Sequence, residues 1–256
     1  MESAKELQGR ILLVDDESAI LRTFRYCLED EGYTVATANS AAQADALMQR
    51  AGLAAAEWAA PLAGEKNRPI LVLAGPGNNG GDAFAMARLL REQFFDVCLV
   101  FAGEVSRLPP DAAAACQDFI AGGGTLSAGI PEDTQWSLIV DGLFGIGLTR
   151  APEGEAAQAI ERINAHPGPV VAIDLPSGLD AERGVAYAPC VRAQHTLTFL
   201  ADKTGLLTAD GPDHSGEVFV HALDLPPDWL PDPVAACHVP PEPWLPPRRH
   251  NSNKGV

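Results

Sequence analysis

Between the apolar run Ile70-Leu-Val-Leu-Ala74 and a helical pattern beginning at Ala83 lies the stretch Gly75-Pro-Gly-Asn-Asn-Gly-Gly-Asp82. This order predicts strand, glycine-rich turn and helix, which commits the region to a βα unit. A turn so placed aims several backbone N–H groups and a helix N-terminus at one point, where the partial positive charge favours a phosphate or another anion. Two adjacent amides and a carboxylate bring side-chain donors and acceptors to the same turn, which a bare connection does not need. A glycine-rich βα turn by itself also serves as a plain connection in many α/β proteins. Asn-Asn-Gly-Gly-Asp in that context is more specific.

The same alternation continues from about residue 51 to 227. Strands are predicted at 70–74, 97–101, 138–141, 170–174, 196–200 and 218–222, and helices at 51–60, 83–94, 111–121 and 155–165. Continuous apolar strands such as Val170-Val-Ala-Ile173 are buried on both faces, as a helix-covered parallel sheet requires. Right-handed crossovers then give the α/β fold class, a three-layer α/β/α Rossmann-like sandwich with a mostly parallel sheet.

Composition narrows the partners. A formal net charge of −16 argues against a nucleic-acid footprint or an anionic membrane surface. No apolar run approaches the length of a membrane span, and Met1-Glu-Ser-Ala-Lys5 lacks the pattern of a secretory signal. The five cysteines are scattered and show no metal-ligand spacing, so a reducing, cytoplasmic setting is the simplest expectation.

The flanks read differently. Arg10-Ile-Leu-Leu-Val14 is a predicted strand ending at Asp15-Asp16-Glu17, followed by a helix over 18–30, a strand over 33–38 and a helix over 41–50. Residues 1–50 resemble the opening half of a response-regulator receiver of the NtrC-like class, in which the Asp15-Asp16 pair would help hold Mg²⁺. The phosphate-accepting Asp and later Thr or Ser and Lys of a receiver do not follow in order. A receiver fragment without phosphorelay function is therefore expected. Residues 228–256 are rich in proline, which denies the backbone donors and favours an extended linker.

Ligands of open α/β sheets bind beyond the carboxyl ends of the strands. Three strand ends here are polar: Asn78, Asn79 and Asp82; Asp141 with Gly142-Leu-Phe-Gly-Ile-Gly-Leu148; and Asp174-Leu-Pro-Ser-Gly178 with Asp180. If the strands are neighbours, carboxylates, amides and the Ser177 hydroxyl meet in one cleft, a donor set suited to a hard cation. Each residue also has a plainer reading. Asp174 can be a turn residue before Pro176, Asp141 a strand-end acceptor of a backbone N–H, Ser177 a turn hydroxyl and Lys203 a solvated lysine.

Residues 51–227 resemble the NAD(P)H-hydrate epimerase family, the YjeF N-terminal domains. The matching text is Arg50-Ala-Gly52, Gly75–Asp82, Asp141-Gly-Leu-Phe-Gly-Ile-Gly-Leu148, Asp174-Leu-Pro-Ser-Gly-Leu-Asp180, and Thr196-Leu-Thr-Phe199 with Lys203-Thr-Gly-Leu206. The resemblance implies a K⁺ site from Asn79, Asp141 and Ser177. It also implies that the hydrated dinucleotide, NADHX or NADPHX, is bound by Asn78, Asn79, Gly80, Gly81 and Asp82, by Gly145, Ile146, Gly147, Leu148, Thr149, Arg150 and Ala151, and by Asp174. Ala83 replaces a further glycine and Leu175 an isoleucine or valine; neither change removes a ligand. Leu245-Pro-Pro-Arg248 and Asn251-Ser-Asn-Lys-Gly255 resemble the start of the dehydratase domain of bifunctional repair enzymes. The expectation is an epimerase half, without ATP- or ADP-dependent dehydration.

The implied reaction is epimerisation at C6 of the nicotinamide ring. Asp174 is the expected acid/base, because it ends a buried strand where a carboxyl can be tuned for proton transfer. Lys203 is a second candidate, to orient the ring or stabilise charge. The competing readings are a non-catalytic dinucleotide- or partner-binding module, an inactive fusion fragment, and a signalling receiver. The candidate assembly is a homodimer.

Overall fold

The structure, a computed structural model, describes residues 10–14, 28, 34–38, 41–64 and 66–224. Strands β1 (Arg10–Val14) and β2 (Thr34–Ala38) pair in parallel as a two-stranded sheet. The acidic turn at 15–17, most of the helix expected over 18–30 and the proline-rich segment lie outside the described residues.

Seven further strands form one sheet: β3 (Ile70–Ala74), β4 (Val97–Phe101), β5 (Leu126–Ser127), β6 (Leu138–Gly142), β7 (Val170–Ile173), β8 (His195–Phe199) and β9 (Glu217–His221). Their order is β5-β4-β3-β6-β7-β8-β9, and every pairing is parallel. The chain starts this sheet at β3, runs outward to β5, then returns to the other side of β3 for β6. The carboxyl ends of β3 and β6 are therefore the switch point at which crevices open in sheets of this kind.

Helices cover both faces. Period-2 alternation sends Ile70, Val72 and Ala74 into one core with Val140, Ile173 and Phe199. That face is covered by α1 (Ala41–Ala63), α2 (Asn78–Glu92) and α3 (Pro110–Ala121), through residues such as Ala55, Phe84 and Phe119. Leu71, Leu73 and Ile139 point the other way, onto Ile160 and Ile163 of α4 (Gly154–Ala165). A fully buried side chain of the size of Phe84 contributes about 1.5–3 kcal/mol relative to exposure. The three-layer α/β/α reading holds.

Three differences from expectation bear on the site. The helices expected over 41–50 and 51–60 are one helix, α1, so the segment break expected at residue 50 falls inside it; Met48 and Ala51 share a core. Helix α2 begins at Asn78, not Ala83, so Asn78–Asp82 is the first helical turn rather than a loop. Gly80 and Gly81 tolerate the helix because contacts exclude anything larger. A Cβ on Gly80 would overlap the Gly75 carbonyl, and one on Gly81 would lie 2.5 Å from Met48 Cε. Two short helices, α5 (Thr204–Leu207) and α6 (Gly211–Ser215), and the two-residue strand β5 carry too little periodicity to be predicted.

Candidate active site

The three polar strand ends meet at one rim. The β3–α2 connection and the segment after β6 touch: Gly75 N–H donates to the Gly142 carbonyl at 3.0 Å, and a Cβ on Gly75 would collide with the Leu143 carbonyl. Only glycine allows that approach. A cleft of about 630 Å³ opens above it, between the first turn of α2, the 143–150 segment and Asp174.

Beneath the cleft Asp141 is fully buried. Its Oδ1 accepts from Ser177 Oγ at 2.6 Å and from Leu143 N–H at 3.2 Å, and its Oδ2 accepts from Ser177 N–H at 2.7 Å. Ser177 Oγ in turn accepts from Phe144 N–H at 2.9 Å, so one hydroxyl ties the β6 and β7 loops together. Burial raises the Asp141 carboxyl to about 6, opposed by hydrogen bonds from the Ser177 side chain, Ser177 N–H and Leu143 N–H. No ion pair to Asp141 is formed by any described lysine, arginine or histidine.

Asn79 is 8% exposed, and both its Oδ1 and its Nδ2 are buried without a hydrogen-bond partner among the described residues. A buried amide left this way costs about 1–3 kcal/mol unless a ligand satisfies it. It lies beside the other two loops, since a Cβ on Gly145 would sit 3.4 Å from Asn79 Cβ and 3.3 Å from Asp174 Oδ2. An unsatisfied amide oxygen near a buried carboxylate and a hydroxyl is a donor set that suits a hard cation. No group of three or more His, Cys, Asp or Glu that could hold a metal occurs among the described residues, so a site built on that chemistry is not formed there.

Asp174 follows β7. It has φ 66°, and Leu175 N–H donates to the Ile173 carbonyl at 2.8 Å, closing a γ-turn around it. Leu200, just past β8, repeats the motif with φ 68° and Ala201 N–H donating to the Phe199 carbonyl at 2.8 Å. Left-handed backbone at a non-glycine residue is strained, and such strain gathers at functional sites. The two turns bring Asp174 and Lys203 into an ion pair of 2.6 Å, with Nζ also donating to Thr198 Oγ1 and the Phe199 carbonyl, each at 2.7 Å. Thr198 Oγ1 donates to Asp174 Oδ1 at 3.2 Å.

Of the residues expected to hold substrate, Asn78, Asn79, Asp82, Gly145, Ile146, Gly147, Leu148, Thr149, Arg150 and Asp174 line the cleft. Gly80, Gly81 and Ala151 do not; the two glycines serve helix packing. Asp141 and Ser177 form the floor and Lys203 stands behind Asp174. Thr198, which links Asp174 to Lys203, was not singled out from the sequence, although it lies within the Thr196–Phe199 motif. Asp180 is occupied elsewhere, held well below the usual carboxylate range by Arg183, whose Nη2 is 2.6 Å away.

The model of the family described as "YjeF-related protein N-terminus" matches residues 44–205. The chain belongs to that family. Its matched region begins within α1 and contains all the polar strand ends described above. The chain is similar to NAD(P)H-hydrate epimerase of Bordetella pertussis (strain Tohama I), at 42% identity over 196 residues covering 75% of this chain and 85% of that protein. It is also similar to the bifunctional NAD(P)H-hydrate repair enzyme Nnr of Escherichia coli K12, at 39% identity over 200 residues, covering 73% of this chain and 37% of that one. Among solved structures, yeast YNL200c superposes with a TM-score of 0.60 at 23% identity, over 72% of this chain and 81% of the yeast chain, which is agreement in fold.

Proposed function

We propose that this chain interconverts the R and S forms of NADH or NADPH hydrate at C6 of the nicotinamide ring, with K⁺ held by Asn79, Asp141 and Ser177. The observation that carries the reading is the unsatisfied Asn79 amide beside Asp174 and the Asp141–Ser177 pair, in one cleft at the switch point of a family member whose relatives are named for this reaction.

The C6 hydroxyl adjoins ring nitrogen N1, whose lone pair can form N1=C6 as the C–O bond opens. Water then returns to C6. The nitrogen becomes positive on the way, so a carboxylate beside the ring stabilises the barrier state. Asp174 supplies that charge and exchanges a proton with the C6 oxygen. Lys203 and Thr198 fix the Asp174 carboxylate in place. The free N–H groups at the start of α2, whose N-cap Gly77 offers no side-chain cap, suit the substrate's pyrophosphate, and exposed Arg150 suits a phosphate at the mouth. A bound K⁺ supplies charge compensation for Asp141.

With this reading go a cytoplasmic location, a homodimer, and no nucleic-acid or membrane partner. No described helix is long and apolar enough to cross a membrane. The test is to incubate each separated hydrate epimer with the purified chain and follow the other by chromatography, with Asp174→Asn beside it. Interconversion that disappears in the variant is expected. Wild-type protein that leaves the starting epimer unchanged defeats the reading.

A further inference from the structure

Epimerisation at C6 removes oxygen from one face of the ring and returns it to the other. Both events move a proton on or off that oxygen, and one fixed carboxylate cannot reach both faces of a held ring. The charged side chains lining the cleft are Asp82, Arg150 and Asp174. Arg150 is exposed and, being always protonated, cannot shuttle a proton.

Asp82 stands on the first turn of α2, which follows β3, whereas Asp174 follows β7; β6 and its Gly145 lie between those strands. The two carboxylates thus come to the cleft from elements on either side of β6, and their surroundings are unlike. Asp174 has an ammonium and a hydroxyl on its oxygens. The Asp82 carboxylate, by contrast, is shifted by burial and by neighbouring charges and by no hydrogen bond, although only part of the residue is exposed to the cleft. Burial, and then the charge of Asp174, push the Asp82 carboxyl well above its ordinary value, with Lys203 opposing. Unlike surroundings of this kind allow two carboxylates to divide the proton-transfer roles between them.

We propose that Asp82 is the second proton-transfer residue of the epimerisation, acting on the ring face opposite to Asp174. The proposal rests on the epimerase reading. In one direction the Asp82 carboxyl protonates the C6 hydroxyl, and the C6–O bond breaks with its electron pair leaving as water. The N1 lone pair forms N1=C6. Water attacks the other face, the N1=C6 pair returns to N1, and Asp174 takes the proton released. One proton has moved from Asp82 to Asp174 and is re-equilibrated through solvent; the opposite epimer follows the same steps in reverse. Oxidation state does not change.

The test runs the full chain, wild type and Asp82→Asn, on each separated epimer in H₂¹⁸O, reading rates by chromatography and label by mass spectrometry. Inverted product from the wild type should carry ¹⁸O at C6. Asp82→Asn should lose about a hundredfold or more in kcat in both directions, with KM within about threefold. Asp82→Glu should recover part of the loss, which a purely structural role would not produce. The proposal is overturned by Asp82→Asn turning over within threefold of wild type, or by inverted product that keeps ¹⁶O. A wild type inert toward both epimers overturns the epimerase reading itself, a result separable from a failure confined to Asp82.

Discussion

Removing the hydroxyl that joins two strand ends should show how the floor of the cleft is held. In Ser177→Ala, Asp141 loses its 2.6 Å hydrogen bond and Phe144 N–H loses its acceptor at 2.9 Å. A hydrogen bond to a charged group contributes roughly 1.5–3 kcal/mol and a neutral one about 1 kcal/mol. With Asp141 ionised, the cost should be about 3 kcal/mol; with Asp141 neutral, both bonds are ordinary and the cost nearer 1–2 kcal/mol. The carboxyl changes state at about 6 in the folded protein. The hydroxyl favours the charged form, so its loss raises the folded-state value further, and the stability gap between wild type and variant widens as pH rises through 6. At 2–4 °C per kcal/mol for a domain of this size, Tm should fall by about 6–12 °C at pH 8 and about 2–8 °C at pH 5. The assay is thermal melting by circular dichroism in choline buffer, which keeps potassium out. A loss equal at the two pH values, or smaller at pH 8, would refute the reasoning.

Two further outcomes follow from the same geometry. The folded state holds the Asp141 proton up to about 6 while the unfolded chain releases it near 3.8, so wild-type stability in potassium-free buffer should decline between about pH 4 and 6, by about 3 kcal/mol at most from this residue; denaturant titrations at stepped pH measure it. Asp82 acts in the same direction, and Asp180, displaced downward, matters only below about pH 4. In Lys203→Met the Asp174 carboxylate, 14% exposed, loses its ammonium. Because the pair is not fully buried, the destabilisation should be about 2 kcal/mol rather than more, with kcat falling at least tenfold; a variant that melts and turns over like wild type removes Lys203 from the site.

The strand ends were legible because polar residues interrupt apolar runs there: Asp141 and Asp174 stand where a covered sheet would otherwise carry Val or Ile. Asn79, Asp82, Ser177 and the 143–150 segment could be located from the same pattern, and the structure brings them to one rim. The start of α2 was not legible. Glycine weakens a helix on propensity, and only the contacts of Gly80 with Gly75 and of Gly81 with Met48 explain the pair inside the first turn. The γ-turns at Asp174 and Leu200 were equally hidden, since nothing in local sequence announces a positive φ at aspartate or leucine. The pairing of Lys203 with Asp174 depends on β7 and β8 being neighbours, which periodicity does not specify. The unlike surroundings of Asp82 and Asp174 are likewise a product of packing.

The most direct test is a crystal structure of the chain grown with rubidium in place of potassium and with NADP⁺ as a substrate analogue. An anomalous peak should lie against Asn79 Oδ1 and the Asp141–Ser177 pair, with the nicotinamide ring between Asp82 and Asp174. A ring bound outside the cleft, or one seated there with no rubidium beside Asn79, would contradict the convergence of the strand ends into a single cation-dependent site.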